Sequence, residues 1–352
     1  MMDPDVVKMV HGAGGVEMQK FIKNYILKYL SGSGAEVPLE FLDDSSVYNG
    51  VVLKSDTYTV KPIFFPGSDI GRLAVAGSVN DMLMIGAEPK ALAMGLVIEE
   101  GFPFNDLERI LESVSKTASE AGVYVITGDT KVVEKGALDK IIINMSGIGF
   151  RHRYLDHNIG VVAKYRGGVD FRWLLDRNIR PGDKIILTGY IGDHAIALLS
   201  VREGVGFKID IESDASPLNE IVDKALEVGG VVAMKDPTRG GLANLLNEWS
   251  DKSGYGIKIY EDKIPIRDEV RAACGYLGLD PLELGNEGKA VIAVVREKAE
   301  EVLDAIRGTE LGRHAEIIGE VTDEYKFVVM ETVIGGRRIV PQPIGDPVPR
   351  IC

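Results

Sequence analysis

The chain has 352 residues and a formal charge of -13, with 45% hydrophobic and 26% charged residues. That length exceeds what one hydrophobic core usually supports, which predicts two domains of roughly 150 to 180 residues, and the composition excludes disordered, fibrous and membrane classes. The negative charge disfavours phosphate backbones and anionic lipids, so neither nucleic acid nor a membrane is an expected partner. Met1–Val10 lacks a basic segment followed by an apolar one, and no run of about 18 apolar residues occurs, so a cytoplasmic location is expected. The only cysteines, Cys274 and Cys352, read as free thiols.

In chain order, Val51–Val60, Ala91–Ile98, Val123–Thr127 and Lys140–Phe150 carry the β-branched enrichment of strands. Ile70–Ile85 and Leu107–Ala121 carry helical spacing, the latter through Leu107, Ile110, Leu111, Val114 and Ala118, with Asn105 as a candidate N-cap. An α+β lobe ends near Phe150. Arg180-Pro-Gly-Asp183 marks a turn that opens a second lobe with a strand at Lys184–Thr188 and a helix over His194–Arg202. Helical patterns at Pro217–Val228, Gly241–Ser253 and Glu297–Ile306 then alternate with strands at Ala290–Val295 and Lys326–Glu331. Beyond Glu331, Pro341, Pro343, Pro347 and Pro349 block regular structure and predict an extended, mobile tail. From Gly335 to Cys352 such a tail spans at most about 55–60 Å.

Acidic residues recur beside glycine or at strand ends: Asp43-Asp44-Ser-Ser-Val, Ser55-Asp56-Thr57, Val79-Asn80-Asp81-Met82, Thr127-Gly-Asp129-Thr130 and Lys235-Asp236-Pro-Thr. Carboxylates are hard ligands suited to Mg²⁺ with a nucleotide, although any single Asp fits a turn or cap equally well. Glycine-rich stretches at His11–Gly15, Gly67–Gly71 and Asp236–Gly241 can present backbone N–H groups to phosphate. No P-loop, dinucleotide or zinc pattern appears. His11 and His194 read as structural, and Cys274 as core. Cys352 is the oddity: an exposed thiol at the end of a reaching tail.

Taken together, His11–Gly15, Asp43–Val47, Ser55–Val60, Val79–Pro89, Thr127–Lys131, Gly192-Asp-His194, Asp236–Gly241, Gly285-Asn-Glu-Gly288 and Pro349-Arg-Ile-Cys352 resemble the HypE family of hydrogenase maturation factors. Asn80–Pro89 and Asp236–Gly241 alone point only to the wider superfamily of aminoimidazole ribonucleotide synthetase, selenophosphate synthetase and thiamine-monophosphate kinase. The Pro-Arg-Ile-Cys terminus singles out HypE. The resemblance implies an α/β (α+β) PurM-like two-lobe fold, with 1–150 an ATP-binding and dimerisation domain, 151–179 a linker, 180–334 a second PurM-like domain and 335–352 a flexible tail. It further implies a homodimer whose paired N-terminal lobes form a β-barrel flanked by helices. The segment 151–176 is longer than the usual connection between the lobes.

The implied activity is dehydration of a carbamoylated C-terminal cysteine. HypF places the carbamoyl group, ATP activates it, and the thiocyanate passes to iron on a HypC–HypD complex. Turning S–C(=O)–NH₂ into S–C≡N requires loss of a very poor leaving group and two protons. Phosphorylating the carboxamide oxygen supplies a better leaving group, with Mg²⁺ offsetting charge. Asp44, Asp81 and Asp236 are the expected metal ligands. Asp56, Asp69, Asn80, Gly128, Asp129, Thr130, Arg239, Gly240, Gly241 and Asn286 join them as expected nucleotide contacts. Besides Cys352, Lys131 and Glu287 are the catalytic candidates, either of them able to take the first proton. Two rival readings stay open: a synthetase or kinase acting on a free small molecule, and a non-catalytic thiol carrier.

Overall fold

The computed structural model describes residues 6–202 and 209–352. Of the opening stretch read above, residues 1–5 lie outside the described residues.

The first lobe begins with α1 (Gly15–Phe21), which runs through one wider turn into α2 (Leu27–Leu30). Then come β1 (Ser46–Tyr48), β2 (Val51–Tyr58), β3 (Phe64–Phe65), β4 (Ser68–Asp69), α3 (Ile70–Met84), β5 (Ala87–Glu99), α4 (Phe104–Glu120), β6 (Tyr124–Val133) and β7 (Ile141–Arg151). Five of these strands form a sheet in the order β1-β2-β7-β5-β6, in which only β5 and β6 are parallel. Strand alternation decides what each face does. Along β2, Val52 and Tyr58 are buried and Lys54 and Asp56 half-buried on one face, while Leu53, Ser55 and Thr57 stand exposed on the other. Helix α3 lies under the inner face and is buried along almost its whole length. Helix α4 buries only the stripe Ile110, Val114, Thr117 and Ala118, and its N-cap is Pro103, which places Asn105 inside the first turn.

The linker is structured: α5 (Leu155–Arg166) packs on the second lobe through Val161 and Val162. That lobe contains β8 (Lys184–Leu187), α6 (Asp193–Ser200), α7 (Asn219–Val228), β9 (Val231–Lys235), α8 (Gly241–Ser253), β10 (Gly256–Tyr260), α9 (Asp268–Leu277), β11 (Val291–Val294), α10 (Ala299–Arg307), β12 (Glu316–Thr322), β13 (Val328–Glu331) and β14 (Arg337–Ile339). Its seven-stranded sheet runs β14-β13-β10-β12-β8-β11-β9. Residues 337–339, expected in the tail, therefore belong to this sheet, because Gly335 at φ 81° turns the chain back onto β13.

Alternation divides the second sheet between two cores. Ile185, Leu187, Val291 and Ala293 face α8 and its buried Trp249. Ile186, Ile292 and Val294 face α7 and α10, in one continuous cluster with Leu73, Val79 and Met82 of α3. The lobes thus share a core, which fixes the cleft between them. Among the described residues no helix is long and apolar enough to cross a membrane.

Candidate active site

Three carboxylates converge across the two lobes: Asp44 just before β1, Asp81 on α3 and Asp236 just after β9. Their ligand oxygens lie within 4.8 Å of one another. Two lysines balance them. Lys54 on the inner face of β2 pairs with Asp81 and, at 3.1 Å, with Asp56. Lys235 Nζ lies 2.6 Å from Asp44, 3.3 Å from Asp176 and 3.4 Å from Glu248. Burial and then Asp44 push Asp236 up to about 7, and burial holds Asp81 well above the ordinary carboxylate range against the pull of Lys54. Burial also raises Asp44, despite Lys235. For Asp56 burial works upward, but Lys54 prevails and its carboxyl is lowered. Three hard oxygen donors at this spacing, Asp81 and Asp236 buried and Asp44 half-buried, fit a divalent cation such as Mg²⁺.

The tail is docked rather than free. Val16 N–H donates to the Pro343 carbonyl (3.0 Å) and Asp346 N–H to that of Ala13 (2.7 Å). Gly15 belongs here on steric grounds, since a Cβ at that position would lie 2.2 Å from the Pro343 oxygen. Gly240 N–H donates to the Asp346 carboxylate at 3.2 Å. Further along, Lys61 N–H meets the Arg350 carbonyl (3.2 Å) and Thr59 N–H that of Cys352 (3.1 Å), so the last residues lie alongside the chain leaving β2. Arg350 donates to the Thr59 carbonyl and to Asp139, both at 2.7 Å. The prolines that block regular structure also remove donors that a groove would leave unpaired, and Val348 and Ile351 anchor the segment in the core.

Cys352 therefore ends in a cleft of about 700 Å³, also lined by His11, Gly12, Thr57, Thr59 and Arg239. Burial pushes its thiol up to about 12, with Arg239 opposing and Glu287 and Asp56 adding to the rise. Glu287 is itself held well above the usual range by burial and then by Asp236, and its Oε1 is buried without a hydrogen-bond partner. The structure thus brings Cys352, Arg239, Glu287 and Asp56 together next to Asp44, Asp81 and Asp236. Gly240 and Gly241 open α8 beside them with φ of 78° and 61°.

Other expected contacts go elsewhere. Asp69 caps α3, its Oδ1 accepting from Gly71 and Arg72 N–H, about 18 Å along the helix from Asp81. Asn80 is consumed by backbone of the second lobe: Nδ2 donates to the Ser216 (3.0 Å) and Glu287 (3.3 Å) carbonyls, and Oδ1 accepts from Leu218 N–H. Asn286 likewise donates to the Pro237 and Leu284 carbonyls and accepts from Gly192 N–H. Asn80 thus fastens the first lobe to the second, and Asn286 ties together three loops of the second lobe. Gly128, Asp129, Thr130 and Lys131 lie on edge strand β6, and Asp129 and Lys131 are 71% and 65% exposed and paired with each other. Gly128 falls in the cross-strand row of Asp56, three strands away, or about 14 Å. Its missing Cβ is explained by the Met94 carbonyl, which that atom would approach to 2.2 Å. Conversely, Lys54 reaches the site from no quoted motif, and Lys235, Thr59 and His194 reach it from motifs in which they were given no role at the site.

Residues 42–150 match the AIR synthase related protein N-terminal domain, and residues 180–331 its C-terminal domain. A putative hydrogenase expression/formation protein of Methanocaldococcus jannaschii is 49% identical, over 98% of this chain and 99% of its own. Carbamoyl dehydratase HypE of Azotobacter vinelandii is 45% identical, over 98% and 97%. The chain belongs to the HypE family. HypE in a crystal structure with HypF superposes with a TM-score of 0.82 at 43% identity, covering 92% of this chain and 99% of that one. HypE in complex with ATP gives a TM-score of 0.78 at 39% identity over 99% and 100%. The HypE fold thus extends over the whole chain, and the two matched domains leave the linker 151–179 between them.

Two measurements probe this site. Asn80→Ala strands three buried backbone groups, so it should cost about 2–4 kcal/mol in guanidinium unfolding while ATP affinity of the folded fraction stays unchanged; a loss below about 0.5 kcal/mol would sink the fastener role. Asp236 has a folded-state value above the ordinary carboxylate, so its stability contribution is complete below about pH 4 and lost as pH rises through about 7. In metal-free buffer, Asp236→Asn should melt well above the unsubstituted chain at pH 8 and close to it at pH 4, with an intermediate offset between. Equal offsets at both values would contradict a proton held by the cluster.

Proposed function

We propose that this chain is an ATP-dependent carbamoyl dehydratase whose substrate is the S-carbamoyl group on its own Cys352, made into a thiocyanate that supplies the cyanide ligands of [NiFe] hydrogenase. The observation that carries the reading is the seating of Cys352 in the cleft lined by Arg239, within electrostatic reach of Glu287, which in turn feels Asp236 of the Asp44, Asp81 and Asp236 cluster. Membership of a family whose relatives are carbamoyl dehydratases, one of them solved with ATP and another with HypF, supports it. By that analogy HypF loads the carbamoyl group and a HypC–HypD complex receives the product.

Each residue has a task in this reading. The inserted tail excludes water around the thiocarbamate, and Arg239 faces the negative charge of the nucleotide and the developing phosphate. Asp44, Asp81 and Asp236 hold Mg²⁺, which supplies charge neutralisation to phosphoryl transfer. The carboxamide oxygen attacks the γ-phosphorus and ADP leaves. Loss of one nitrogen proton gives an S-bound imidate phosphate; loss of the second expels phosphate and leaves S–C≡N. In its ionised form Glu287, with one carboxylate oxygen unpaired and its proton affinity raised by burial, would take a proton from that nitrogen.

Lys131 cannot share this site within one chain, since β6 lies at the far edge of the first sheet. A second copy would supply it. The outer sheet face is bare, with Leu53 at 54%, Ile148 at 36% and Phe150 at 46% exposure, and edge strand β6 adds Tyr124 at 75%, Ile126 at 66% and Val132 at 68%. A long apolar edge next to an apolar face requires a partner. We infer a homodimer closed through these faces into a barrel, with Gly128–Lys131 of each copy serving the other's cleft.

Intact mass spectrometry after incubation with HypF, carbamoyl phosphate and ATP should show gain of one carbamoyl, then loss of one water, and neither in Cys352→Ala. Turnover on a free small molecule by the Cys352→Ala chain would favour the kinase reading, and carbamoylation without ATP hydrolysis the thiol carrier. The trans arrangement has its own test: Lys131→Ala and Cys352→Ala chains, each inactive, should regain up to about a quarter of normal activity when refolded together, the fraction set by random pairing with one competent site per mixed dimer. No recovery would place Lys131 outside the partner's cleft.

A further inference from the structure

We propose that His194 is the positioning residue for Cys352: its ring Nε2–H holds the carbonyl of Ile351 and so sets the register in which the tail presents the sulfur to the cleft. The proposal rests on the reading that Cys352 carries the reacting group.

His194 stands in the first turn of α6 and is fully buried. Its Nε2 lies 3.0 Å from the Ile351 carbonyl oxygen and its Nδ1 2.8 Å from Ser213 Oγ. A carbonyl only accepts, so Nε2 carries the hydrogen and Nδ1 accepts from the Ser213 hydroxyl. Ser213 thereby fixes the tautomer, and Phe65, edge-on at 5.5 Å, fixes the ring plane. The next carbonyl of the tail, that of Cys352, is held from the first lobe by Thr59 through N–H at 3.1 Å and Oγ1 at 3.2 Å. Successive carbonyls are therefore gripped from opposite lobes, with the thiol-bearing Cα between them.

The grip on Ile351 is built rather than incidental. Its side chain is 2% exposed and lies over Gly285, where a Cβ would come within 2.8 Å of its Cδ1. Asn286 then joins the two loops concerned: its Oδ1 takes the N–H of Gly192, two residues before His194, and it directly precedes Glu287. The donor that places the sulfur and the carboxylate that faces it are thus held at a fixed separation. His194 touches neither nucleotide nor the reacting atoms in this arrangement; it acts through the position of Cys352.

Site-resolved alkylation by N-ethylmaleimide, read by peptide mass spectrometry, reports tail docking without depending on turnover. His194→Phe keeps the ring volume and loses the donor, and His194→Gln keeps an amide donor in place of Nε2. Loss of one hydrogen bond should make Cys352 of His194→Phe react about tenfold faster and lose water from the carbamoylated state about tenfold more slowly, with KM for ATP unchanged. His194→Gln should restore both rates. Alkylation of His194→Phe at the normal rate, or a His194→Gln chain as impaired as His194→Phe, would overturn the proposal. Should His194→Phe not fold, Ser213→Ala, which frees the tautomer, should give changes of about threefold in the same directions; unchanged rates there would also overturn it. If the unsubstituted chain never loses water, the dehydratase reading falls while the alkylation comparison still decides the role of His194.

Discussion

The structure is organised around a buried surplus of negative charge. Asp44, Asp56, Asp81, Asp236 and Glu287 come from both lobes into one low-dielectric space, where separate ionisation of each is costly. Lys54 and Lys235 lower that cost by lying between carboxylates, Lys54 between Asp56 and Asp81, Lys235 between Asp44 and Asp176. A divalent cation and a polyphosphate would enter as a further pair of opposite charges, which such a mixed lining can receive without a large change in net charge. The shared core of α3 with Ile186, Ile292 and Val294 keeps the lobes at the separation this balance needs.

Against that fixed cleft the tail behaves as a substrate that happens to be covalently attached. Attachment replaces a bimolecular encounter by an intramolecular one, so weak contacts suffice for docking. The contacts are accordingly mostly single hydrogen bonds from backbone or half-buried arginines, with Pro343, Val348 and Ile351 the buried residues of the segment beyond Pro341. A segment that must also meet other proteins gains from being held this way, because the ordering of a few residues, not the opening of a core, sets the cost of withdrawal.

Much of this was legible in the sequence where side-chain chemistry and periodicity agree. Gly241–Ser253 reads as a helix and is α8; Asp44, Asp81 and Asp236, far apart in the chain, were each expected as metal ligands and do approach one another. What the sequence does not carry is where polar side chains find their partners. Asn80 and Asn286 sit in motif-like strings but spend their polar atoms on backbone groups of other segments, a demand set by tertiary packing, and Asp69 spends its own locally, as the N-cap of α3. Lys54 and His194 were passed over for the converse reason: their importance depends on which strand face or loop meets the tail, and one-dimensional spacing does not carry that. The tail read as mobile because proline density speaks against ladders, yet a groove that offers side-chain and backbone donors needs no ladder.

The linker illustrates how far the charge balance reaches. Residues 151–179 lie outside both matched domains, yet Asp176 within them accepts from Trp249 Nε1 at 2.9 Å and pairs with Lys252 at 2.6 Å as well as with Lys235. Lys235 and then Lys252 hold its carboxyl down at about 2 against burial, so it stays charged, whereas burial and the charge of Asp176 push neighbouring Asp43 up to about 6. A permanent negative charge on that side lets Lys235 be shared instead of committed to Asp44. Were Asp44 to turn to a cation, Lys235 would retain two acidic partners, Asp176 and Glu248, and no buried ammonium would be stranded. The segment between the lobes is thus part of the site's electrostatics: of the three carboxylates paired with Lys235, it supplies the one, Asp176, that is held most firmly in its charged form.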